Sequence, residues 1–515
     1  MPNIVENYNV EESTIPESFD LRDKINIIIG NVNDGITPTI NGSVYGGSAF
    51  GSVNGTTQST NVSSNGVNVT VNEGIIKNAV FGGGKGNSTY TPYVMGNIVV
   101  TINGGNIADV FGGNDAAGTP NGTITIYLND GVIGRTFGGG NNASVKTNTI
   151  YLQGATSTNI FGGSNASGTV TTSNIIVTSG TTDTIYGGNN TAGETDTSNI
   201  EIKGGTINTA VYGGGNLATT GTTNVHLYAS TIPNVFGGGA NANVTNSTNV
   251  IQQGSSVTNI YGGSNAGGTV ASSNIEIHSG ITTNVFGGNN ESGTTTTSNI
   301  EMHNSIVQNI YGGGNKAGVT TTNIDLIGGK VNNVFGGSNQ SGDVTTANIK
   351  TSTTTTTSEG LEMTVEYSKG WDEAPYTSMT KINVTLTNTT SNPIDDYNVT
   401  IETTNSELLY DWSQSTVQGQ NNIYTFDSEN KWNDSKNTIP ANGTYSMEFY
   451  TGNLTTFEEF KILDFYVVGK DSSGNEYASN ATSGVKVTNV YGGNNLGGST
   501  TSTNINLSAG TFGDV

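Results

Sequence analysis

One motif, an aromatic residue followed by two glycines, recurs along most of this 515-residue chain and limits what it can fold into. The motif begins at Tyr45, Phe81, Phe111, Phe137, Phe161, Tyr186, Tyr212, Phe236, Tyr261, Phe286, Tyr311, Phe335 and Tyr491. From the third copy to the twelfth, successive copies are 24 to 26 residues apart. A fixed period in the twenties predicts a solenoid, in which each coil buries its apolar residues only against its neighbours.

Each period contains short segments whose pattern favours β-strands. Asn274, Ile275, Glu276 and Ile277 alternate, so that the two isoleucines face one side of a strand and Glu276 faces the other. Hydrophobic residues are only 32% of the chain and glycine fills 74 positions, a composition that disfavours helical layers. We predict an all-β fold, a β-solenoid of about twelve coils that is roughly 60 Å long at ~4.8 Å per coil. A leucine-rich-repeat horseshoe is the alternative, but the leucines that it requires are missing.

Asparagine occupies equivalent places in successive coils. Stacked coils bring such residues into register, where their side-chain amides can form hydrogen-bonded ladders. One column is Asn174, Asn199, Asn224, Asn249, Asn274, Asn299, Asn323 and Asn348, and a second is Asn234, Asn259, Asn284, Asn309 and Asn333. These asparagines are therefore predicted to be structural.

One outward-facing column combines carboxylates with imidazoles. Glu276, Glu301 and Asp325 should stack on three adjacent coils, with His278 and His303 two residues further along the same face. Such a set could hold a transition metal, and carboxylate pairs are also the acid–base groups that cleave glycosidic bonds. A solvated polar face of a duplicated repeat is the simpler interpretation. We predict no catalytic residue, no metal site and no cofactor. If the chain is catalytic, Glu276, Glu301 and Asp325 are the candidate residues, and if it binds a metal, His278 and His303 are the candidates.

The repeat is interrupted once, by an insertion. Phe335 and Tyr491 are 156 residues apart, which leaves roughly 130 residues more than one coil needs. The repeat continues through Ile349 and resumes at Val487, so the extra residues sit at a turn of the solenoid, where insertions are tolerated best. The predicted parts are an N-terminal segment outside the repeat, the solenoid, an inserted domain and a continuation of the solenoid, at 1–36, 37–350, 351–484 and 485–515.

All three tryptophans of the chain, Trp371, Trp412 and Trp432, lie in this insertion. Tryptophan carries a large apolar area that is usually placed in a core or at a binding face, and the repeats contain none. Alternating runs separated by turn residues, such as 381–386 and 445–449, predict an antiparallel β-sandwich of about a hundred residues. The inserted domain is therefore where we expect recognition to take place.

Residues 361–453 resemble the bacterial family 2 carbohydrate-binding modules. The similarity is carried by Gly370-Trp371, the strand from Val384 to Asn388, Asp411-Trp412-Ser413, Lys431-Trp432-Asn433, and Ile439-Pro440-Ala441-Asn442-Gly443-Thr444 followed by Glu448-Phe449. The resemblance implies a β-sandwich that lays exposed tryptophans flat on cellulose or, in some members, chitin. It assigns that surface to Trp371, Trp412 and Trp432. Tyr397 stands where the family has a buried tryptophan, and the family's terminal disulfide is absent because the chain has no cysteine.

Sugar binding by these tryptophans also has a physical basis that does not depend on the resemblance. Pyranose rings present flat C–H faces, and indole faces stack on them. The alternative is that the tryptophans fill the sandwich core. Alternation does not decide between the two, but Trp412 and Trp432 have polar sequence neighbours, and we expect at least two of the three rings to be exposed.

Charge and hydropathy exclude some partners. The formal net charge is −23, and no basic stripe exists to neutralise nucleic-acid phosphates. No apolar run approaches the ~20 residues that a membrane-spanning helix needs. The first residues lack a signal-peptide pattern, yet the composition is that of an exported protein, so we expect an extracellular or cell-surface location. The next aromatic motif falls due at about residue 516, which predicts a truncated solenoid.

Three functions therefore stand open. The one that we favour is a non-catalytic extracellular stalk that binds a polysaccharide, cellulose or chitin, through the tryptophan face. The second is a β-helix glycoside hydrolase or polysaccharide lyase that uses the solenoid carboxylates and is tethered to its substrate by the module. The third is a structural surface adhesin whose inserted domain binds protein.

Overall fold

The computed structural model confirms an all-β chain, with strands and no helix among the residues that it describes. These are residues 20–21, 24–31, 37–55, 63–228, 230–303, 305–352, 360–369, 380–403, 408–411, 417–420, 423–430, 435–451, 462–479 and 485–515. Within these ranges, no helix has the length and apolarity needed to cross a membrane.

The strands before the insertion are almost all members of one continuous parallel sheet that winds around the solenoid. Only β1 and β5 stand apart, as a separate parallel pair. The strands are β1 (Asp20–Leu21), β2 (Ile25–Ile29), β3 (Thr39–Ile40), β4 (Val44–Tyr45), β5 (Ser52–Val53), β6 (Ser63–Val71), β7 (Ile75–Phe81), β8 (Gly96–Phe111), β9 (Ile124–Phe137), β10 (Val145–Phe161), β11 (Thr169–Tyr186), β12 (Glu194–Ile202), β13 (Thr206–Tyr212), β14 (Thr219–Leu227), β15 (Thr231–Phe236), β16 (Val244–Tyr261), β17 (Thr269–Phe286), β18 (Thr294–Met302), β19 (Ile306–Tyr311), β20 (Gly318–Leu326), β21 (Lys330–Phe335) and β22 (Val344–Thr351). Because β2 pairs with β6, the parallel sheet already includes residues before 37.

Each coil consists of two strand segments separated by a corner. In one coil the segments are β18 and β19, whereas in the preceding coil β17 runs through both, with Gly280 at the corner. Gly280 has a φ of 106°, a conformation that other residues adopt only with strain. The aromatic-Gly-Gly motif follows the second segment and forms the next corner.

The core of the solenoid comes from the inward positions of successive strands. Ile275 pairs in register with Ile300 and then with Ile324, and each is about 1% exposed. The outward residues between them remain partly exposed. Each coil thus buries its apolar side chains against the coils above and below, as the repeat predicted.

The aromatic residues of the motif form one uninterrupted stack of thirteen rings, from Tyr45 to Tyr491. Neighbouring ring centroids are 4.6–5.0 Å apart, and their planes differ by no more than 16°. The stack crosses the insertion directly, because Phe335 lies on Tyr491. The solenoid therefore has about one ring per coil along its whole length.

Both predicted asparagine columns are confirmed as hydrogen-bonded ladders. In the first column each Nδ2 from Asn199 onward donates to the Oδ1 of the asparagine one coil earlier at 2.8–2.9 Å, and Asn504 extends it. In the second column the distances are 2.7–2.9 Å, and Asn489 extends it. The asparagines thus tie successive coils together along two edges of the rod.

The insertion contains two antiparallel sheets. A four-stranded sheet has the order β23-β24-β29-β26, and a five-stranded sheet has the order β27-β28-β25-β30-β31. Their strands are β23 (Leu361–Lys369), β24 (Thr380–Asn388), β25 (Ile394–Thr403), β26 (Leu408–Asp411), β27 (Val417–Gln420), β28 (Ile423–Asp427), β29 (Gly443–Thr451), β30 (Ile462–Asp471) and β31 (Glu476–Ser479). The two sheets share one apolar core, so the predicted sandwich is confirmed.

The solenoid resumes after the insertion with β32 (Lys486–Tyr491), β33 (Thr500–Asn506) and β34 (Thr511–Asp514). β32 continues the register of β21, with Asn333 opposite Asn489 and Phe335 opposite Tyr491. The insertion therefore replaces the corner between the two segments of one coil, β22 and β32. The five-stranded sheet then packs back on the solenoid, where β25, β27 and β28 contact β16 and β17.

Candidate functional site

The three predicted binding residues, Trp371, Trp412 and Trp432, lie outside the described residues, but the strands that lead to them are described. β23 ends at Lys369 and β26 ends at Asp411, and both strands belong to the four-stranded sheet. Trp432 belongs to a segment whose flanks are joined by the Asn430 backbone N–H, which donates to Ser435 O at 3.0 Å. The exposure of the three rings therefore stays a prediction.

The described core of the sandwich consists of aliphatic and aromatic side chains. Fifteen buried residues from both sheets pack there. Tyr397 is 0% exposed and has the core position that the sequence assigned to it, with its ring centroid 6.1 Å from that of Tyr445. Phe426 and Phe449 meet across the two sheets, with ring centroids 4.7 Å apart. Large aromatic side chains other than tryptophan thus occupy the described interior.

The predicted acidic column is present on the outer face of the solenoid. Glu276 pairs in register with Glu301, and Glu301 pairs with Asp325. A shallow trough of about 630 Å³ runs along this face. Its lining includes Asn274, Asn299, Asn323, Glu276, Glu301 and Asp325.

Each carboxylate of the column has a basic partner. His278 Nε2 lies 3.3 Å from Glu276 Oε2, and His303 Nε2 lies 2.9 Å from Glu301 Oε1. The hydrogen bond from His278 lowers the pKa of Glu276, and the bond from His303 lowers the pKa of Glu301 in the same way. Both glutamates are therefore held in the ionised form at neutral pH.

Asp325 is bound differently from the two glutamates. Lys350 Nζ lies 2.7 Å from its Oδ2, and Ser352 Oγ donates to the same oxygen at 2.9 Å. The two histidines are buried and stack on each other, with ring centroids 4.4 Å apart. Within the described residues, no three or more histidine, aspartate or glutamate side chains form a set that could hold a metal ion.

A third asparagine ladder was not anticipated from the sequence. Its members lie four residues after the motif aromatic and bond from coil to coil at 2.8–2.9 Å. They are Asn141, Asn165, Asn190 and Asn216, then Asn265, Asn290, Asn315, Asn339 and Asn495. The ladder breaks where Ala240 takes the position. The sequence carries the signal for this ladder, since asparagine lies four residues after the aromatic in nine of the thirteen copies of the motif.

Comparisons with known proteins return only partial likenesses. No protein-family model matches the chain, and no curated protein matches it either. An exo-β-N-acetylglucosaminidase from Vibrio harveyi, solved with N-acetylglucosamine, is 12% identical over 26% of this chain and 18% of its own, with a TM-score of 0.18. A Bacillus thuringiensis chitinase is 18% identical over 20% of this chain and 14% of its own, with a TM-score of 0.16. The chitin-binding domain of a Streptomyces coelicolor protein is 15% identical over 21% of this chain and 90% of its own, with a TM-score of 0.15.

These three proteins act on or bind carbohydrate, but likenesses of this size assign neither a fold nor a function to this chain. The chain spans less than a fifth of the length of each of the two enzymes. The resemblance to family 2 carbohydrate-binding modules stays a prediction from sequence.

Proposed function

We propose that this chain is a non-catalytic extracellular protein that binds a polysaccharide, cellulose or chitin, through Trp371, Trp412 and Trp432 of the inserted sandwich. The solenoid serves as the stalk that carries the binding domain. The observation that carries this proposal is the core position of Tyr397 in the inserted sandwich. Tyr397 is buried between the two sheets, at the place where the family that residues 361–453 resemble has its buried tryptophan, and by the same resemblance Trp371, Trp412 and Trp432 correspond to that family's surface residues.

The geometry of the solenoid supports the role of a stalk. Thirteen stacked rings and three amide ladders connect each coil to the next. In a solenoid, stability is the sum of such nearest-neighbour contacts, which resist bending between coils. An insertion at one corner of this rod is held by both of its ends, since β22 and β32 both pair into the parallel sheet.

The solenoid carboxylates support a binding protein over a hydrolase. Cleavage of a glycosidic bond needs one carboxylic acid with a raised pKa, so that it remains protonated until it reaches the leaving oxygen. The pKa values of Glu276 and Glu301 are lowered by their histidine partners. Neither glutamate therefore has the environment of a general acid, and Asp325 is bound to Lys350.

We expect the intact chain to co-sediment with microcrystalline cellulose or with chitin, because both present ordered arrays of flat pyranose faces. The measurement is depletion of protein from the supernatant across a range of solid loadings, with an inert mineral powder as the control for general adhesion. Reducing-end release from either polymer should stay at the level of buffer. A chain that remains in solution with both polymers would contradict the proposal, and steady release of reducing ends would favour the hydrolase.

A further inference from the structure

The outer face of the five-stranded sheet is polar in sequence but buried in the structure. Tyr397, Val399, Tyr424 and Phe426 alternate into the sandwich core, so their neighbours point the opposite way. Those neighbours are Asn398, Thr400, Thr425 and Asp427, which are at most 5% exposed. A polar sheet face of this kind normally meets water. Here another part of the chain covers it.

The solenoid provides that cover at the corner where β16 turns. Thr425 Oγ1 donates a 2.6 Å hydrogen bond to the carbonyl oxygen of Gly254. A Cβ on Gly254 would lie 3.1 Å from Asn398 Oδ1 and 3.9 Å from Asp427 Oδ2, so both side chains lie directly over this glycine. The polar groups of the sheet are therefore shielded from water by the solenoid.

The contact is not fully satisfied by hydrogen bonds. Asn398 Oδ1 and Thr400 Oγ1 are buried and have no hydrogen-bond partner among the residues that the structure describes. Buried polar atoms without a hydrogen-bond partner destabilise the contact, and water could hydrogen-bond to them if the surfaces separated. Contacts between domains with this polar character resemble transient protein–protein interfaces. We therefore expect the two surfaces to separate and rejoin.

The charged groups around Asp427 on the sandwich side of the contact are Asp396, Glu429, Lys436 and Lys470, which lies opposite Asp396 in β30. Asp396 and Glu429 lie nearby, and Lys436 Nζ is shared between them, 3.6 Å from Asp396 Oδ1 and 3.9 Å from Glu429 Oε1. The direct partner of Asp427 is the backbone N–H of Glu429, which donates to Oδ1 at 2.9 Å. Within the described residues, no ion pair reaches Asp427 itself.

On the solenoid side, the basic residues Lys203 and His226 already have partners of their own. Lys203 is paired with Glu201 at 3.3 Å and lies over the ring of Tyr228. His226 Nε2 lies 2.6 Å from Gln253 Oε1, and burial lowers the pKa of this histidine, which keeps it neutral. A negative charge on Asp427 would therefore sit in a dry contact, next to the like charges of Asp396 and Glu429 on its own domain.

We propose that Asp427 is a proton-operated latch, whose protonated carboxyl lets the sandwich lie on the solenoid and whose ionisation releases it. The released domain stays attached at β22 and β32 and is free to reorient on the rod. The inference concerns contacts within the chain and holds whatever ligand the tryptophans bind.

The direction of the pH effect follows from the burial of Asp427. Burial is the main cause that raises the pKa of this carboxyl to about 8; the charges of Glu429 and Asp396 also raise it, and the hydrogen bond from the Glu429 N–H and the charge of Lys436 lower it. A carboxyl whose pKa is raised on docking favours the docked state at low pH and opposes it once the pH exceeds the ordinary carboxyl value. Docking therefore weakens as pH rises from about 4 to about 8 and is constant above that. In the middle of this window, each pH unit changes the docking constant by up to about tenfold.

The test measures docking in the full chain without any polysaccharide. The chain has no cysteine, so Ser473→Cys in the insertion and Thr296→Cys on the solenoid, both at exposed positions, accept a fluorescent donor and acceptor cleanly. We expect energy transfer to change reversibly between pH 5 and pH 9, with no loss of β-sheet circular dichroism. Asp427→Asn should remove the change and keep the docked signal at every pH. Glu362→Gln, an exposed carboxylate in β23, should leave it intact.

A second variant tests the latch if the parent chain stays docked across the whole pH range. Thr425→Val deletes the hydrogen bond to Gly254 and should move the transition to lower pH. Energy transfer that stays constant with pH in both the parent chain and Thr425→Val would overturn the latch. An unaltered transition in Asp427→Asn would also overturn it. Neither outcome bears on cellulose or chitin binding, so this inference and the proposed function can fail separately.

Discussion

Gly263→Ala should lower the free energy of unfolding by about 3 to 5 kcal/mol, the combined cost of overpacking and of broken buried hydrogen bonds. Gly263 is the second glycine of the motif that begins at Tyr261. A methyl group there would overlap Oδ1 of Asn289 and lie 2.8 Å from its backbone nitrogen. The motif needs glycine at this position because the next coil passes directly above it.

The side chain that the methyl group would displace is itself structural. Asn289 is fully buried, and its Oδ1 accepts hydrogen bonds from the Ser264 N–H at 2.9 Å and from Thr295 Oγ1 at 3.1 Å. Its Nδ2 donates to the carbonyl oxygens of Gly268 and Ser292, each at 3.0 Å. Moving this amide would leave several buried polar groups unpaired, each at a cost of about 1–3 kcal/mol.

The matched control is Gly493→Ala, at the same place in the last copy of the motif. Only Thr500 Oγ1 comes near a Cβ at this position, at 3.8 Å, which is ordinary contact. We expect a change of no more than about 0.5 kcal/mol. Guanidinium-induced unfolding followed by circular dichroism compares the two variants. Equal losses would mean that glycine acts there through chain flexibility and that packing between coils is secondary.

Phe236→Ala should lower the free energy of unfolding by about 4 kcal/mol, within the usual range for truncating a buried phenylalanine. Phe236 is 3% exposed, and its ring lies 4.8 Å from that of Tyr212 and 4.7 Å from that of Tyr261. Truncation leaves a cavity in the aromatic stack and removes two ring contacts, each worth about 0.5–1.5 kcal/mol. Because coils depend on their neighbours, hydrogen exchange should accelerate first in the coils that contain these two tyrosines.

The control for the stack is Tyr491→Ala, at its far end. Tyr491 is 44% exposed and has Phe335 as its ring neighbour at 4.9 Å. We expect a loss of about 1 kcal/mol, since less area and one ring contact are removed. If the two truncations lower the free energy of unfolding by the same amount, burial of the rings inside the stack is not what stabilises the solenoid.

Much of the solenoid could be predicted from the sequence because a repeat converts sequence spacing into spatial neighbours. Residues that are one period apart, such as Asn274 and Asn299, must lie side by side once the coils stack. The same argument placed Glu276 beside Glu301, and Glu301 beside Asp325. The sandwich strands also followed from alternation, and Tyr397 entered the core as expected.

Features that depend on contacts between distant parts of the chain could not be predicted in this way. His278 and His303 were expected on an open face, but both are buried and stack on each other. Alternation marks Asn398, Thr425 and Asp427 as a water-facing sheet surface, and their burial arises from packing on the solenoid. No local pattern encodes where an inserted domain will dock.

The central claim is that the tryptophans of the insertion bind the polysaccharide, and one adsorption measurement tests it directly. The triple variant Trp371→Ala, Trp412→Ala and Trp432→Ala is compared with the parent chain on cellulose and chitin. The control is the double variant Tyr127→Ala and Tyr151→Ala, which removes a half-buried stacked ring pair from the solenoid. We expect adsorption to be abolished in the triple variant and unchanged in the control, with β-sheet circular dichroism retained in both. Full adsorption by the triple variant would contradict the account.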